Sequence, residues 1–88
     1  MEPQSIGEFI RSKRKEKGLS LREFARRTGV SQPYLSQLET GSHNNPSLDI
    51  LRKTCKQLDV DYIDFLVKIG YITEEDIKSY VARRWLAD

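Results

Sequence analysis

One short stretch of the sequence carries polar side chains at a spacing suited to reading nucleic acid. Gln32, Pro33, Ser36, Gln37 and Thr40 recur at i, i+1, i+4, i+5 and i+8, which places them on one side of a helix. This stripe is uncharged and rich in amides and hydroxyls. Glutamine amides can pair with N6 and N7 of adenine in the major groove. On an isolated helix such a stripe is ordinary solvated surface, and it becomes a candidate base-reading face only inside a motif that presents the helix to DNA.

Residues for catalysis or metal binding are too few or wrongly spaced. The sequence has one histidine, His43, and one cysteine, Cys55, which cannot make a zinc set. Cys55 falls on the apolar seam of a predicted helix and is expected to be a small buried hydrophobe. Asp59, Asp61 and Asp64 lack the spacing and the glycine of an EF-hand. We therefore expect no enzymatic activity, no metal and no cofactor.

Positive charge is concentrated in the first half of the chain. Through residue 45 there are eight Lys/Arg against five Asp/Glu, or +3, and from residue 46 there are seven against eight, or −1. The run 11–17 and the trio Arg22, Arg26 and Arg27 supply most of the excess. Such a distribution suits a polyanionic partner such as nucleic acid. On charge alone, a solvated helix face is the simpler interpretation.

Length and composition favour one small domain in the cytoplasm. The 88 residues can bury a single core. No apolar run is long enough to cross a membrane, and residues 1–4 lack the features of a secretory leader. A lone cysteine is typical of a reducing compartment. We expect a cytoplasmic protein.

The elements that position the polar stripe are all predicted to be helices. N-caps are expected at Ser20, Ser31, Ser47, Asp61 and Thr73, and the first helix is expected to begin at about Ser5. Four glycines are expected to end helices, at positions 18, 29, 41 and 70. Ser20 with Glu23, and Thr73 with Asp76, have the spacing of reciprocal capping boxes. The apolar seam of the fourth helix is predicted to contain Leu48, Leu51, Cys55 and Leu58.

Two short helices joined at Gly29-Val30, the second with a polar outer stripe, form a helix-turn-helix. Residues 19–25 (LSLREFA), 29–32 (GVSQ), 34–39 (YLSQLE) and 45–48 (NPSL) resemble the phage-repressor/Cro (Xre) family, in particular the DNA-binding half of SinR-like repressors. The resemblance covers residues 5–68. It implies a lambda-repressor-like five-helix bundle, to which the sequence adds a sixth helix. It also implies a repressor that binds a near-palindromic operator in double-stranded DNA as a homodimer, with residues 32–40 in the major groove.

The resemblance also assigns roles to individual residues. It implies base-reading by Gln32, Pro33, Ser36 and Gln37, and an orienting pair made by Arg14 and Glu39. Phosphate contacts are expected from the start of the second helix, the third-helix cap and the following loop: Ser20, Leu21, Arg22, Ser31, Thr40, Ser42, His43, Asn44 and Asn45. Amides at the start of the second helix are suited to holding a phosphate on physical grounds as well.

Several positions depart from the family pattern. Leu21 stands where the family often has glutamine, Pro33 has no side-chain donor, and residues 42–45 lack the usual lysines. A protein-interaction module that has lost DNA binding is therefore one alternative. A restriction–modification controller or a toxin–antitoxin antitoxin with the same DNA-binding fold is another.

Residues 69–88 form a C-terminal extension beyond the family core. Its predicted helix carries one apolar stripe made by Ile77, Tyr80, Val81 and Trp85. This stripe needs an apolar partner. It can pack back onto the bundle, build a dimer interface, for which Trp and Tyr are typical anchors, or dock another protein.

Overall fold

A computed structural model describes residues 5–85, and all of its regular structure is helical. Within this range there are six helices and no strand, so the all-α prediction is confirmed. The helices are α1 (Ile6–Glu16), α2 (Leu21–Thr28), α3 (Gln32–Thr40), α4 (Leu48–Leu58), α5 (Tyr62–Lys68) and α6 (Glu74–Trp85). The last three residues of the predicted 69–88 extension lie outside the described range.

Local side chains begin the helices where the sequence predicts. The side-chain oxygens of Ser5, Ser20, Ser31, Ser47 and Asp61 each accept a hydrogen bond from the amide three residues further on. At Thr73 and Asp76 the capping box is reciprocal, with distances of 2.8 and 3.0 Å. At Ser20 only half of the predicted box forms. The Glu23 carboxylate turns instead to Arg26 and Arg27, which offer charge-assisted hydrogen bonds.

The first five helices enclose one apolar core. α3 packs against α1 and α2, and α4 packs against α1, α2 and α5. The fully buried side chains include Ile10, Phe24, Leu35, Leu51 and Phe65. The largest apolar side chains of α1, α2, α3, α4 and α5 thus meet in this core, which holds α3 firmly from behind.

The predicted place of Leu48 in the α4 seam is wrong. Leu48 is 54% exposed, whereas Leu51, Cys55 and Leu58 are buried as predicted. Leu48 is the first residue of α4, and side chains on a helix tilt toward its N-terminus. Its side chain therefore projects past the packed turns of α4.

The face of α6 stays outside the core. None of its residues is buried, and Tyr80, Val81 and Trp85 are 62%, 45% and 78% exposed. Ile77, Tyr80 and the α5 residue Ile63 line a groove of about 470 Å³ between the two helices. The stripe therefore does not pack back onto the bundle in the single chain.

No helix in residues 5–85 is long and apolar enough to span a membrane.

Candidate nucleic-acid interface

The outer face of α3, made by Gln32, Pro33, Ser36 and Gln37, points away from the core. Gln32, Pro33 and Gln37 are exposed and Ser36 is half-buried. On the opposite side of the helix, Leu35 and Leu38 are 0% and 1% exposed. The structure thus brings the four predicted base-reading residues together on one uncharged surface, with Ser36 set deeper than the others.

The turn between α2 and α3 is fixed by a buried threonine. Gly29 adopts the left-handed conformation that ends α2, with φ of 76°. The Thr28 hydroxyl donates to the Phe24 carbonyl oxygen at 2.9 Å and accepts the Val30 amide at 3.2 Å. Val30 is itself buried. These contacts set the angle at which α3 leaves α2.

Arg14 and Glu39 join α1 to the end of α3. The Arg14 Nε and Nη2 atoms donate to the two Glu39 carboxylate oxygens at 2.6 and 2.9 Å, and Nη1 donates to the Leu19 carbonyl oxygen at 2.7 Å. The two side chains are only 11% and 6% exposed. The hydrogen bond to Glu39 raises the pKa of Arg14 above its usual value, although burial acts in the opposite direction. The predicted partners therefore form a nearly buried bidentate pair, stronger than two exposed surface charges.

A close approach between α1 and α3 at Gly7 is a positioning feature not predicted from the sequence. A Cβ atom on this buried α1 residue would lie 2.3 Å from the Leu38 carbonyl oxygen and 2.6 Å from that of Glu39. α1 can therefore cross the C-terminal end of α3 only because residue 7 has no side chain. A glycine in the interior of an otherwise helical pattern is the signal that could have indicated it.

The N-terminus of α2 presents groups suited to phosphate. Ser20 and Arg22 are exposed, and Leu21 is half-buried against the core. Within residues 5–85, the Leu21 and Arg22 amides have no acceptor, and the Arg22 guanidinium has no acidic partner. Two open amides at a helix N-terminus and a nearby cation form a favourable site for an anion.

Arg26 and Arg27 are engaged differently from Arg22. Both donate to the Glu23 carboxylate, with Nε distances of 3.0 and 3.1 Å. Hydrogen bonds from Arg26 and then Arg27 lower the pKa of Glu23 from 4.5 to about 2. Glu23 thus partly neutralises both arginines, and Arg22 is the strongest phosphate candidate of the three.

The loop after α3 is tied back to the helix. The Thr40 hydroxyl and the His43 amide both donate to the Gln37 carbonyl oxygen, at 3.2 and 3.1 Å. The His43 ring lies against Tyr34, with the ring centroids 4.8 Å apart. The predicted loop residues Ser42, Asn44 and Asn45 are exposed, as are Ser31 and Thr40, whereas His43 is half-buried. The contact between Tyr34 and His43 is not predicted from the sequence.

Two groups with possible chemistry, a metal cluster and the Cys55 thiol, can be checked in the described residues. Residues 5–85 contain no group of three or more His, Cys, Asp or Glu side chains that could hold a metal. Cys55 is 3% exposed, and burial raises the pKa of its thiol to about 11. Its predicted burial is confirmed.

Comparison with known proteins gives the same family. Residues 10–65 match the model of a helix-turn-helix family. The HTH-type transcriptional regulator SinR of Bacillus subtilis (strain 168) is 47% identical over 71 residues, which cover 81% of this chain and 63% of SinR. SlrR of the same organism, also an HTH-type transcriptional regulator, is 46% identical over 56 residues, which cover 64% of this chain and 37% of SlrR. The matched segments thus span less than two thirds of either relative.

A solved structure supports the same grouping. The crystal structure of SinR, the master regulator for biofilm formation, in complex with DNA has a TM-score of 0.66 and 44% identity to this chain. The match covers 69% of this chain and 97% of the other. By sequence and by fold, the chain belongs to the Xre-type helix-turn-helix family.

Proposed function

We propose that the chain is a sequence-specific regulator of transcription, a repressor that binds a near-palindromic operator in double-stranded DNA as a homodimer. The observation that carries this proposal is the outer face of α3, which is polar and uncharged while Leu35 and Leu38 anchor the helix from behind. The SinR structure that resembles this chain is a DNA complex. α3 lies in the major groove, where Gln32, Pro33, Ser36 and Gln37 meet base edges.

Phosphate contacts on either side of α3 fix its position on the duplex. At the start of α2, one phosphate is bound by Ser20 and by the open amides of Leu21 and Arg22, which donate to its oxygens. The Arg22 side chain adds positive charge. Near α3, further donors come from its cap, its last residue and the loop: Ser31, Thr40, Ser42, His43, Asn44 and Asn45. Because the loop is bonded to the Gln37 carbonyl oxygen, these donors keep a fixed place relative to the base-reading face.

The Arg14–Glu39 pair acts as an orienting device behind this surface. Glu39 lies on α3, and its carboxylate is clamped by a guanidinium that is also bonded to the Leu19 carbonyl oxygen. The pair therefore fixes the end of α3 relative to α1 and to the chain that enters α2. Neither side chain needs to touch DNA for this role.

The α6 face, made by Ile77, Tyr80, Val81 and Trp85, supplies the contact between two copies. It is the apolar surface left open on the described chain between α5 and the end of α6. The first turn of α6 is acidic, with Glu74, Glu75 and Asp76, and its last turn is basic, with Arg83 and Arg84. An antiparallel pairing about a two-fold axis therefore sets opposite charges side by side. To reach two half-sites, such a dimer must place its two copies of α3 about 34 Å apart, one helical turn of DNA.

Selection of binding sites from a randomised duplex pool tests the DNA-binding proposal. The wild-type chain should enrich an inverted repeat. Gln32→Ala should weaken binding and relax the preference at one base pair of each half-site. Gln57→Ala removes the same amide from α4 and should leave both unchanged. If Gln32→Ala behaved as Gln57→Ala does, the assignment of α3 as the recognition helix would be wrong.

Sedimentation of two charge variants tests the dimer. Val81→Glu puts a carboxylate into the α6 face and should yield monomers, since a buried unpaired charge is costly. Ser79→Glu makes the same change on the opposite side of α6 and should leave the dimer intact. If the wild-type chain bound an inverted repeat but sedimented as a monomer, this role of α6 would be refuted.

A protein-interaction module is the competing function, and one observation favours it. Residues 41–45 carry no lysine or arginine, and Leu21 is half-buried with an apolar side chain. Salt dependence separates the two functions, because each neutralised phosphate adds about 0.9 to the slope of log affinity against log salt. A restriction–modification controller or an antitoxin shows the same salt dependence, because it also binds DNA. Apolar docking of a protein partner on the α6 face does not produce it.

A further inference from the structure

We propose that Pro33 makes the chain select a thymine in each half-site by packing its ring against the thymine 5-methyl group. This inference rests on the proposed function, in which α3 lies in the major groove. It adds a readout that is apolar and does not involve hydrogen bonding. The thymine is placed next to the base pair read by Gln32, because the two residues are consecutive on the exposed start of α3.

The backbone at the start of α3 offers little to a phosphate. The Tyr34 amide donates to the Ser31 hydroxyl oxygen at 3.3 Å, and the Leu35 amide donates to the Ser31 carbonyl oxygen at 3.1 Å. Pro33 has no amide hydrogen. Within the described chain, this leaves only the Gln32 amide unpaired in the first turn, whereas α2 leaves those of Leu21 and Arg22.

The exposed group at this position is an apolar ring that can neither donate nor accept a hydrogen bond. Adenine, guanine and cytosine present amino groups or acceptor atoms in the major groove, and thymine alone presents a methyl group. A polar base edge opposite Pro33 loses water without gaining a partner, which carries a penalty. Burial of a thymine methyl group against the ring is favourable, because apolar surface is removed from water. Since the proline side chain is rigid, packing costs almost no side-chain entropy.

The other three residues of the base-reading face are polar and do not offer an apolar contact of this kind. Gln32 precedes it, and Gln37 lies one turn further along on the same face of α3. Ser36 is half-buried and set deeper. Pro33 is therefore the apolar member of the four-residue base-reading face.

Replacing single thymines of the selected operator by deoxyuridine tests the inference, because this change removes only the methyl group. One position in each half-site, adjacent to the base pair at which Gln32→Ala relaxes the preference, should bind about fourfold more weakly. With Pro33→Ser this penalty should vanish, and with Pro33→Ala it should shrink. With Gln37→Ala the penalty should persist although overall binding weakens.

The outcomes separate this inference from the function beneath it. If the pool yields no specific site, the proposed function fails and the inference fails with it. If a specific site emerges but deoxyuridine costs the same in wild type and in Pro33→Ser, DNA binding stands and the Pro33 inference is refuted. Circular dichroism of the Pro33 variants, with unchanged melting, ensures that a lost penalty reflects the missing ring.

Discussion

Breaking the Arg14–Glu39 pair should destabilise the whole bundle. Glu39→Ala removes two of the three hydrogen bonds of the Arg14 guanidinium, which are 2.6 and 2.9 Å long, and leaves only the bond to Leu19. The Arg14 side chain is 11% exposed, so water cannot fully replace the carboxylate. Removing one partner of a buried pair costs about 3–5 kcal/mol. Because of this residual exposure and the remaining bond, we expect Glu39→Ala to lower the free energy of unfolding by about 2–3 kcal/mol.

Urea denaturation followed by circular dichroism measures this loss. The slope of the unfolding free energy against urea should stay constant while the midpoint falls. The double variant Arg14→Met with Glu39→Leu replaces the pair by apolar side chains and should recover most of the stability, since no unpaired charge remains. With Arg14→Met and Glu39→Leu also measured as single variants, non-additivity in this double-mutant cycle isolates the energy of the pair.

The exposed pair Lys17–Asp59 provides the matched control. Its side chains are 36% and 77% exposed, so Asp59→Asn should lower the urea midpoint far less than Glu39→Ala does. If Glu39→Ala cost as little as Asp59→Asn, or if the double variant lost the sum of both single changes, the argument from burial would be refuted.

Three further predictions concern packing, pH and thiol reactivity. Gly7→Ala should lower the unfolding free energy in urea by at least about 2 kcal/mol, because its Cβ meets backbone oxygens, whereas Gly18→Ala, which meets nothing within 4 Å, should cost about 1 kcal/mol for its positive φ. Because the pKa of Glu23 is lowered to about 2 in the folded chain, its carboxylate stabilises the fold above pH 4.5, and this contribution is lost as the pH falls toward 2. Urea midpoints of Glu23→Gln should therefore change less between pH 4.5 and pH 2 than those of wild type. Cys55, buried with a pKa of about 11, should react with Ellman's reagent at pH 8 far more slowly in the folded chain than in urea, and equal rates would contradict its burial.

Helix boundaries were predictable because their signals are local. Ser31 caps α3 through an amide three residues away, and Gly41 ends the helix in the left-handed conformation. Both interactions lie within a few residues of the helix end and depend little on the rest of the fold. The outer face of α3 follows from the same locality, since helix periodicity alone decides which residues share a side.

Features that depend on tertiary contacts were not predictable from pattern alone. The role of Gly7 depends on where α1 crosses α3, and the burial of Arg14 depends on the same crossing. Leu48 continues the apolar spacing of α4, yet it projects beyond the packed turns. At Glu23 the spacing allows a capping box and also two ion pairs, and the geometry of the arginines decides between them.

The exposure of Trp85 gives the unlabelled protein an optical reporter. It is the single tryptophan of the sequence, it lies at the end of α6, and its side chain is 78% exposed. Intrinsic tryptophan emission therefore comes from one place on the molecule, on a different helix from the base-reading surface. Covering the indole shifts that emission to the blue. A shift on adding operator DNA thus measures whether events at α3 are coupled to α6, with no dye attached and no residue replaced.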